Sequence, residues 1–103
     1  MIKEVTAAEF KAEIAEGLVL VDFYSKTCGP CKMLSINLNA ADKEIGDKVK
    51  VVKVVFEENP DLAKEYGVTG YPTLIVMKDG AEKERKSGLQ QKTGLIKMLQ
   101  AYM

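Results

Sequence analysis

The chain has 103 residues, of which 47% are hydrophobic, and its 15 basic and 15 acidic side chains cancel. This length supports one domain with one core and leaves no room for a second. The balanced charge provides neither a basic stripe for nucleic acid nor a strongly charged surface for a membrane. No apolar run approaches membrane-spanning length and Met1–Thr6 lacks a signal-peptide core, so we expect a cytoplasmic protein.

The first half of the chain predicts two strands, each followed by a helix. Ile2–Val5 predicts a short edge strand, and residues 6–16 predict a helix whose first turn has a capping-box pattern. Leu18–Tyr24 is almost continuously apolar, which is typical of a parallel strand covered on both faces. A second helix is expected over residues 28–46, beginning at a pair of cysteines.

A third strand, a short helix and a fourth strand follow. Val49–Phe56 predicts the third strand. Asn59 is expected to be the N-cap of a helix over residues 60–66, because its first residue is a proline and proline is tolerated in a first turn. Thr73–Met77 predicts the fourth strand.

The last part of the chain predicts a hairpin and a final helix. The pair Asp79–Gly80 predicts a tight turn into a polar strand near Glu82–Ser87, which suits the edge of a sheet. A helix is expected at about Gln90–Tyr102. This order of elements predicts an α/β fold with a mixed five-stranded sheet, parallel in its first part and with helices on both faces. In such sheets, ligands approach at the carboxyl ends of the strands.

Cys28 and Cys31 are the only cysteines, and they flank Gly29 and Pro30 where a strand gives way to a helix. Such a pair can alternate between dithiol and disulfide. The Cα atoms of residues i and i+3 of a helix lie about 5 to 5.5 Å apart, which is within the range that a disulfide bond spans. Closing so short a loop contributes only about 2 kcal/mol, which argues against a structural staple. Unpaired N–H groups and the helix dipole favour a thiolate, so we assign Cys28 as nucleophile and Cys31 as resolving thiol.

Two charged side chains interrupt apolar strands. An unpaired carboxylate at Asp22, within the second strand, has its pKa raised towards neutrality, so it can accept a proton from Cys31 or return one. Lys53 interrupts the third strand, and a direct or water-linked partnership with Asp22 would reduce the cost of burying both. The alternative is that either side chain simply reaches an exposed strand end.

The residues that the chain lacks exclude several kinds of site. Without histidine it has no Ser-His-Asp or Cys-His catalytic unit and no mixed Cys and His zinc site. It has no phosphate loop or dinucleotide fingerprint, so we expect no cofactor and no metal, and electrons that arrive from a partner protein. Two alternatives stay open. The cysteines hold zinc or an iron–sulfur cluster between two chains, or the protein is a binding module in which they are incidental.

Several separate motifs resemble those of the thioredoxin family, and the resemblance covers essentially the whole chain. They are Val21–Phe23, Cys28–Met33, Asn59–Pro60, Gly67–Val68, Pro72–Thr73, Asp79–Gly80 and Gly88. The resemblance implies one thioredoxin domain over residues 1–103, with a mixed five-stranded sheet flanked by four helices. It also implies a protein disulfide reductase that acts on disulfide-containing client proteins and is recharged by a thioredoxin reductase. We expect this protein to be a monomer.

The resemblance further implies a cis Tyr71–Pro72 peptide bond that faces the cysteines. The residue pattern alone also permits a trans proline in a plain turn. A cis bond would expose backbone that can pair with an extended peptide beside Cys28. We therefore expect substrate contacts from two loops, namely from Thr27, Gly29, Pro30, Thr69, Gly70, Tyr71 and Pro72.

Three positions depart from the family pattern. Thr27 and Tyr24 stand where the family usually has tryptophans, so apolar docking area beside the cysteines is lost and the affinity for the usual reductase is expected to change. Ile36 replaces a helix-kinking proline. We expect a straighter second helix, unless Ser35 or Asn37 bonds back to the preceding turn.

Overall fold

The computed structural model describes every residue from Met1 to Met103. Strands and helices follow one another in the predicted order, and their bounds differ from the sequence-based ones by two residues or fewer. None of the helices has the length and apolar character needed to cross a bilayer. The elements are β1 Ile2–Glu4, α1 Ala7–Ile14, β2 Leu18–Tyr24, α2 Gly29–Ile45, β3 Lys50–Val55, a 3₁₀ turn Phe56–Glu58, α3 Pro60–Glu65, β4 Thr73–Lys78, β5 Ala81–Ser87 and α4 Lys92–Gln100.

The five strands form one sheet in the order β1-β3-β2-β4-β5. The strands β1, β3 and β2 are mutually parallel, whereas β4 and β5 are antiparallel to their neighbours, which confirms the predicted mixed sheet. Phe23 near the end of β2 is paired with Thr73 at the start of β4. This register brings the segment that precedes Thr73 to the carboxyl end of β2.

The sheet is buried on both faces, which explains why β2 is so continuously apolar. Val21 and Phe23 belong to a core of 13 buried residues that includes Phe10 of α1 and the buried part of α3. Leu20 points to the other face, where it joins a core of 12 buried residues, six of them from α2 and α4. Fully burying a large apolar side chain stabilises the fold by about 1.5–3 kcal/mol, so both faces contribute. The next residue of β2 on the Leu20 face is Asp22.

The predicted hairpin joins β4 and β5. Asp79 and Gly80 both have positive φ, 49° and 84°, as a tight two-residue turn requires. The side chains of β5 are exposed or half-buried, as the sequence predicts for an edge strand. A register shift at Val76 and Met77 marks an irregularity in the β4–β5 pairing.

Asn59 lies at the predicted N-cap position of α3, but its side chain does not cap that helix. Its Oδ1 accepts a hydrogen bond from the backbone N–H of Ala7 at 3.0 Å, and its Nδ2 donates to the carbonyl of Val55 at 3.0 Å. The predicted N-cap position is therefore confirmed, although the side chain makes no capping hydrogen bond. The amide ties the start of α1 to the end of β3 instead.

Candidate active site

The two cysteines form a disulfide at the N-terminus of α2. Their Cα atoms are 5.2 Å apart, within the predicted range. Cys28 is the N-cap, and its Sγ accepts a hydrogen bond from the backbone N–H of Cys31 at 3.2 Å. Pro30 lies in the first turn, where a missing N–H costs little. The donor and the positive end of the helix favour negative charge on this sulfur once the disulfide is reduced.

The two sulfurs differ in their access to solvent. Cys28 is 9% exposed and Cys31 is 2% exposed. Gly29 and Pro30 between them are exposed, and so is Thr27 before them. A reactant that approaches from solvent therefore meets Cys28 first.

Asp22 is fully buried on the face of the sheet that α2 covers. Burial raises the pKa of its carboxyl from 3.8 to about 7, and the nearby Lys53 ammonium opposes this shift. No backbone or side-chain group of the protein donates a hydrogen bond to either carboxylate oxygen. The alternative that Asp22 reaches an exposed strand end is excluded.

Lys53 lies directly opposite Asp22 in the parallel β2–β3 pair, but the two side chains are not hydrogen bonded. The Nζ of Lys53 instead donates to Oγ of Ser35 on α2 at 2.9 Å. The same ammonium lies 4.6 Å from the centroid of the Tyr24 ring. The direct hydrogen bond that the sequence left open is therefore not formed, because α2 presents a hydroxyl acceptor to the lysine, and the water-linked partnership stays a prediction.

A cleft of about 160 Å³ lies beside Lys53 and Cys31. Two neighbours of Lys53, the Ser35 hydroxyl and the Tyr24 ring, form part of its wall. The hydroxyl of Tyr24 in turn donates a hydrogen bond to Glu4 on β1. The lining consists of Tyr24, Ser25, Lys26, Cys31, Lys32, Ser35 and Lys53.

The loop that leads from β2 to Cys28 is held by Glu57, a residue that sequence reasoning missed. The Glu57 carboxylate accepts hydrogen bonds from Oγ of Ser25 at 3.1 Å and from the backbone N–H of Lys26 at 3.2 Å. Hydrogen bonds from its own backbone N–H and from this loop lower the pKa of Glu57. Its place just beyond β3, the strand beside β2, was the one sequence feature that pointed to it.

The second loop of the site contains a cis Tyr71–Pro72 peptide bond, the isomer that the family resemblance implies. Oγ1 of Thr73 donates to the carbonyl of Gly70 at 2.8 Å, and the N–H of Gly88 donates to the carbonyl of Pro72 at 2.9 Å. These bonds fix the loop at the end of the sheet where β2 also ends. Both predicted substrate-contact loops therefore lie at the same end of the molecule.

The exposure of this second loop suits contact with another molecule. Thr69 and Gly70 are exposed, whereas Pro72 is buried. Tyr71 is 48% exposed, and its ring packs edge-on against Phe56 with centroids 5.3 Å apart. A groove of about 290 Å³ lies along this loop, between residues 67–73 and the facing part of β5.

The helix α2 is continuous from Gly29 to Ile45, and Ile36 is exposed on its surface. The side chains of Ser35 and Asn37 bond elsewhere, since Ser35 accepts from Lys53 and Asn37 donates to the carbonyl of Gln90 at 2.8 Å. The straighter course expected for this helix stays a prediction.

Reversible closure of the Cys28–Cys31 disulfide is the chemistry that this arrangement permits, and so the fold and the site together define a thiol–disulfide oxidoreductase. Comparison with known families makes the assignment specific. The model of the thioredoxin family matches residues 1–101, and the chain belongs to that family.

Individual relatives support the same assignment over nearly the whole chain. A thioredoxin from Rickettsia felis is 45% identical over 98 residues, which are 93% of each chain. A thioredoxin from Bacillus subtilis is 42% identical over 102 residues, covering 99% of this chain and 98% of that one. The structure of a mutant thioredoxin from Halobacterium salinarum superposes with a TM-score of 0.90 at 33% identity, covering 98% of this chain and 89% of that one. These likenesses confirm the predicted thioredoxin fold and disulfide oxidoreductase activity.

Proposed function

We propose that the protein reduces disulfides of client proteins in two steps, of which the first uses Cys28 as nucleophile. The Cys28 thiolate attacks one sulfur of the client disulfide, and the other client sulfur leaves as a thiolate. A mixed disulfide between Cys28 and the client results. The greater exposure of Cys28 and the N–H that donates to its sulfur support this role.

In the second step Cys31 resolves the mixed disulfide. Its sulfur attacks Sγ of Cys28, the second client sulfur leaves as a thiolate, and the Cys28–Cys31 disulfide closes. The client gains two electrons, and the cysteine pair loses two. Asp22 accepts the proton that Cys31 must lose, because a buried carboxyl with a pKa of about 7 can exchange protons near neutral pH.

Two loops dock the client. Residues 69–71 are exposed and offer backbone for strand-like pairing with an extended peptide, Tyr71 adds an exposed ring, and Pro72 fixes the end of this loop. Thr27, Gly29 and Pro30 contact the same peptide from the cysteine side. The register of Phe23 with Thr73, which brings both loops to one end of the sheet, supports this arrangement.

The wider setting of the reaction belongs to the same proposal. A thioredoxin reductase returns the protein to its dithiol form, and disulfide-containing proteins are the clients. The protein acts as a monomer, as a single domain over residues 1–103, in the cytoplasm, with no resident cofactor or metal and with no nucleic acid or membrane as partner. The likeness to bacterial thioredoxins supports the reductase as electron donor.

The hydrogen bond from the Cys31 N–H to Sγ of Cys28 carries this proposal, because it marks the sulfur that becomes a thiolate. The test is reduction of insulin by catalytic amounts of the protein, with thioredoxin reductase and NADPH, a ferredoxin-dependent reductase, or dithiothreitol as electron source. We expect activity with at least one reductase, no activity for Cys28→Ser, and an accumulating mixed disulfide for Cys31→Ser.

Different results reject different parts of the proposal. If Cys28→Ser keeps the wild-type rate, the assigned nucleophile is wrong. If Cys28→Ser traps the client through Cys31, the two cysteines have exchanged roles. If dithiothreitol supports turnover and neither reductase does, the proposed electron donor is wrong while the exchange chemistry stands. The next variant to test is then Thr27→Trp, which introduces the residue that the family usually has at this position.

A further inference from the structure

The Lys53 ammonium has two contacts in the protein, and neither is a carboxylate. It donates to Oγ of Ser35 at 2.9 Å and lies 4.6 Å from the centroid of the Tyr24 ring, which is within cation–π range. Its register partner Asp22 has no donor at all. A buried carboxylate attracts a neighbouring ammonium strongly, so the contacts with Ser35 and Tyr24 compete with a direct ion pair.

These contacts connect three strands and a helix. The Tyr24 ring is held by the hydrogen bond from its hydroxyl to Glu4 on β1. Alternation along the strands places Asp22, Tyr24 and Lys53 on the face of the sheet that α2 covers, and Ser35 faces them from that helix. The lysine is therefore held from two sides by groups with fixed positions.

We propose that Ser35 and Tyr24 are positioning residues, which hold the Lys53 ammonium in the cleft that Cys31 also lines and so keep it from hydrogen bonding to Asp22. The proposal rests on the proton-accepting role of Asp22 in the proposed function. With the ammonium held aside, the Asp22 carboxyl keeps its proton affinity near neutral pH. A direct ion pair would remove that affinity, because an ammonium in contact favours the ionised carboxylate.

Apart from Tyr24, the tests leave the other ionisable side chains around this site in place. Lys26 forms an ion pair with Glu58 of the 3₁₀ turn at 2.7 Å, and Lys32 of α2 lines the cleft. In the disulfide form, neither cysteine titrates. The groups that face Asp22 and Lys53 from the surrounding elements are thus Glu4, Tyr24, Lys26, Cys31, Lys32 and Glu58.

The experiment measures the Asp22 pKa by carboxyl NMR titration of the oxidised full-length protein labelled with ¹³C-aspartate. The resonance is assigned by its loss in Asp22→Asn. We expect Ser35→Ala to lower the pKa by about one unit, because the freed ammonium can pair with the carboxylate. Ser35→Thr keeps the hydroxyl and should restore the wild-type value. Thr93→Ala removes an exposed hydroxyl from α4 and is the matched control.

The tyrosine is tested in the same way. Tyr24→Leu removes the ring and should lower the Asp22 pKa, whereas Tyr24→Phe keeps the ring, loses only its hydrogen bond to Glu4 and should have the smaller effect. A second background isolates the lysine: in Lys53→Met, the change Ser35→Ala should shift the Asp22 pKa no further. The proposal is overturned if Ser35→Ala leaves or raises the Asp22 pKa, or if its effect persists without Lys53.

This titration is independent of turnover. If Asp22→Asn resolves mixed disulfides at the wild-type rate, the proposed function of Asp22 fails although the pKa shifts stand. If the pKa shifts are absent while Asp22→Asn is slow, the positioning role fails alone. For the reduced protein, a lower Asp22 pKa in Ser35→Ala should also move the pH profile of the resolving step to lower pH.

Discussion

The backbone N–H of Cys31 donates to Sγ of Cys28 at 3.2 Å, so the residue proposed to resolve the mixed disulfide also supports the sulfur proposed to form it. This relationship follows from the N-cap position of Cys28, since an N-cap side chain accepts from the unpaired N–H groups of the first turn. Cys31 occupies the first turn and points its own sulfur inwards. The start of α2 therefore makes Cys28 the hydrogen-bonded and more exposed sulfur and Cys31 the more buried one.

In the reduced protein we expect Cys28 to be alkylated before Cys31. The donor N–H and the helix dipole both stabilise the thiolate, and Cys28 is the more exposed sulfur. The measurement is the pH dependence of iodoacetamide labelling, with the modified cysteine identified by mass spectrometry. Faster labelling of Cys31 would contradict the assignment, and Cys28→Ser provides the control.

The buried carboxyl of Asp22 should make stability depend on pH. Because burial raises its pKa from 3.8 to about 7, the folded protein keeps a proton between these pH values that the unfolded chain has lost. The free energy of unfolding therefore falls as the pH rises from about 4 to about 7, by up to about 4 kcal/mol if the whole shift is expressed. Above this window the penalty stays constant.

Replacement of Asp22 by asparagine removes this titration. We expect Asp22→Asn to be more stable than wild type at pH 8 and close to it at pH 4.5, because the wild-type carboxyl is neutral in the acidic sample. Urea unfolding of the oxidised proteins at the two pH values measures the difference. Asp47→Asn, which changes an exposed carboxylate, should show no such divergence. An equal effect of Asp22→Asn at both pH values would contradict the raised pKa.

Most of the fold could be predicted from the sequence, because its determinants are local. The apolar run Leu18–Tyr24, the turn residues Asp79 and Gly80 and the cysteine spacing each act through neighbouring residues or a fixed periodicity. The site could be predicted as far as Asp22, because a charged residue within an apolar strand can be recognised from the sequence alone. Burial of that charge could be expected before any contact was known.

The partners of polar side chains could not be predicted in the same way. Whether Lys53 bonds to Asp22 or Ser35 depends on where α2 lies over β3, a placement set by the packing of a whole core. The Asn59 side chain likewise accepts a hydrogen bond from the backbone of Ala7, which is 52 positions away in the chain. Such contacts join segments distant in sequence, and neither periodicity nor turn chemistry encodes them.

Tyr71 should contribute to docking of protein clients and not to the chemistry of the sulfurs. Its ring is 48% exposed at the loop beside the cysteines. Tyr71→Ala should raise KM for insulin about fivefold, equivalent to about 1 kcal/mol of lost apolar contact, and leave kcat unchanged. Reduction of a small aromatic disulfide should proceed at the wild-type rate. Met103→Ala, at 47% exposure, is a control of matched exposure, and an equal KM effect there would argue against a specific contact.

Glu57 should be required to keep the loop before Cys28 in place. Its carboxylate accepts from Oγ of Ser25 and from the N–H of Lys26, so its removal leaves both donors without that acceptor. We expect Glu57→Ala to speed amide hydrogen exchange at Lys26 and to lower kcat/KM for insulin severalfold, because the loop that positions Cys28 becomes more mobile. Glu57→Asp shortens the side chain by one methylene and should have an intermediate effect. Glu16→Ala, which removes an exposed carboxylate outside this loop, is the control. If Lys26 exchanges at the wild-type rate in Glu57→Ala, the carboxylate does not hold this loop.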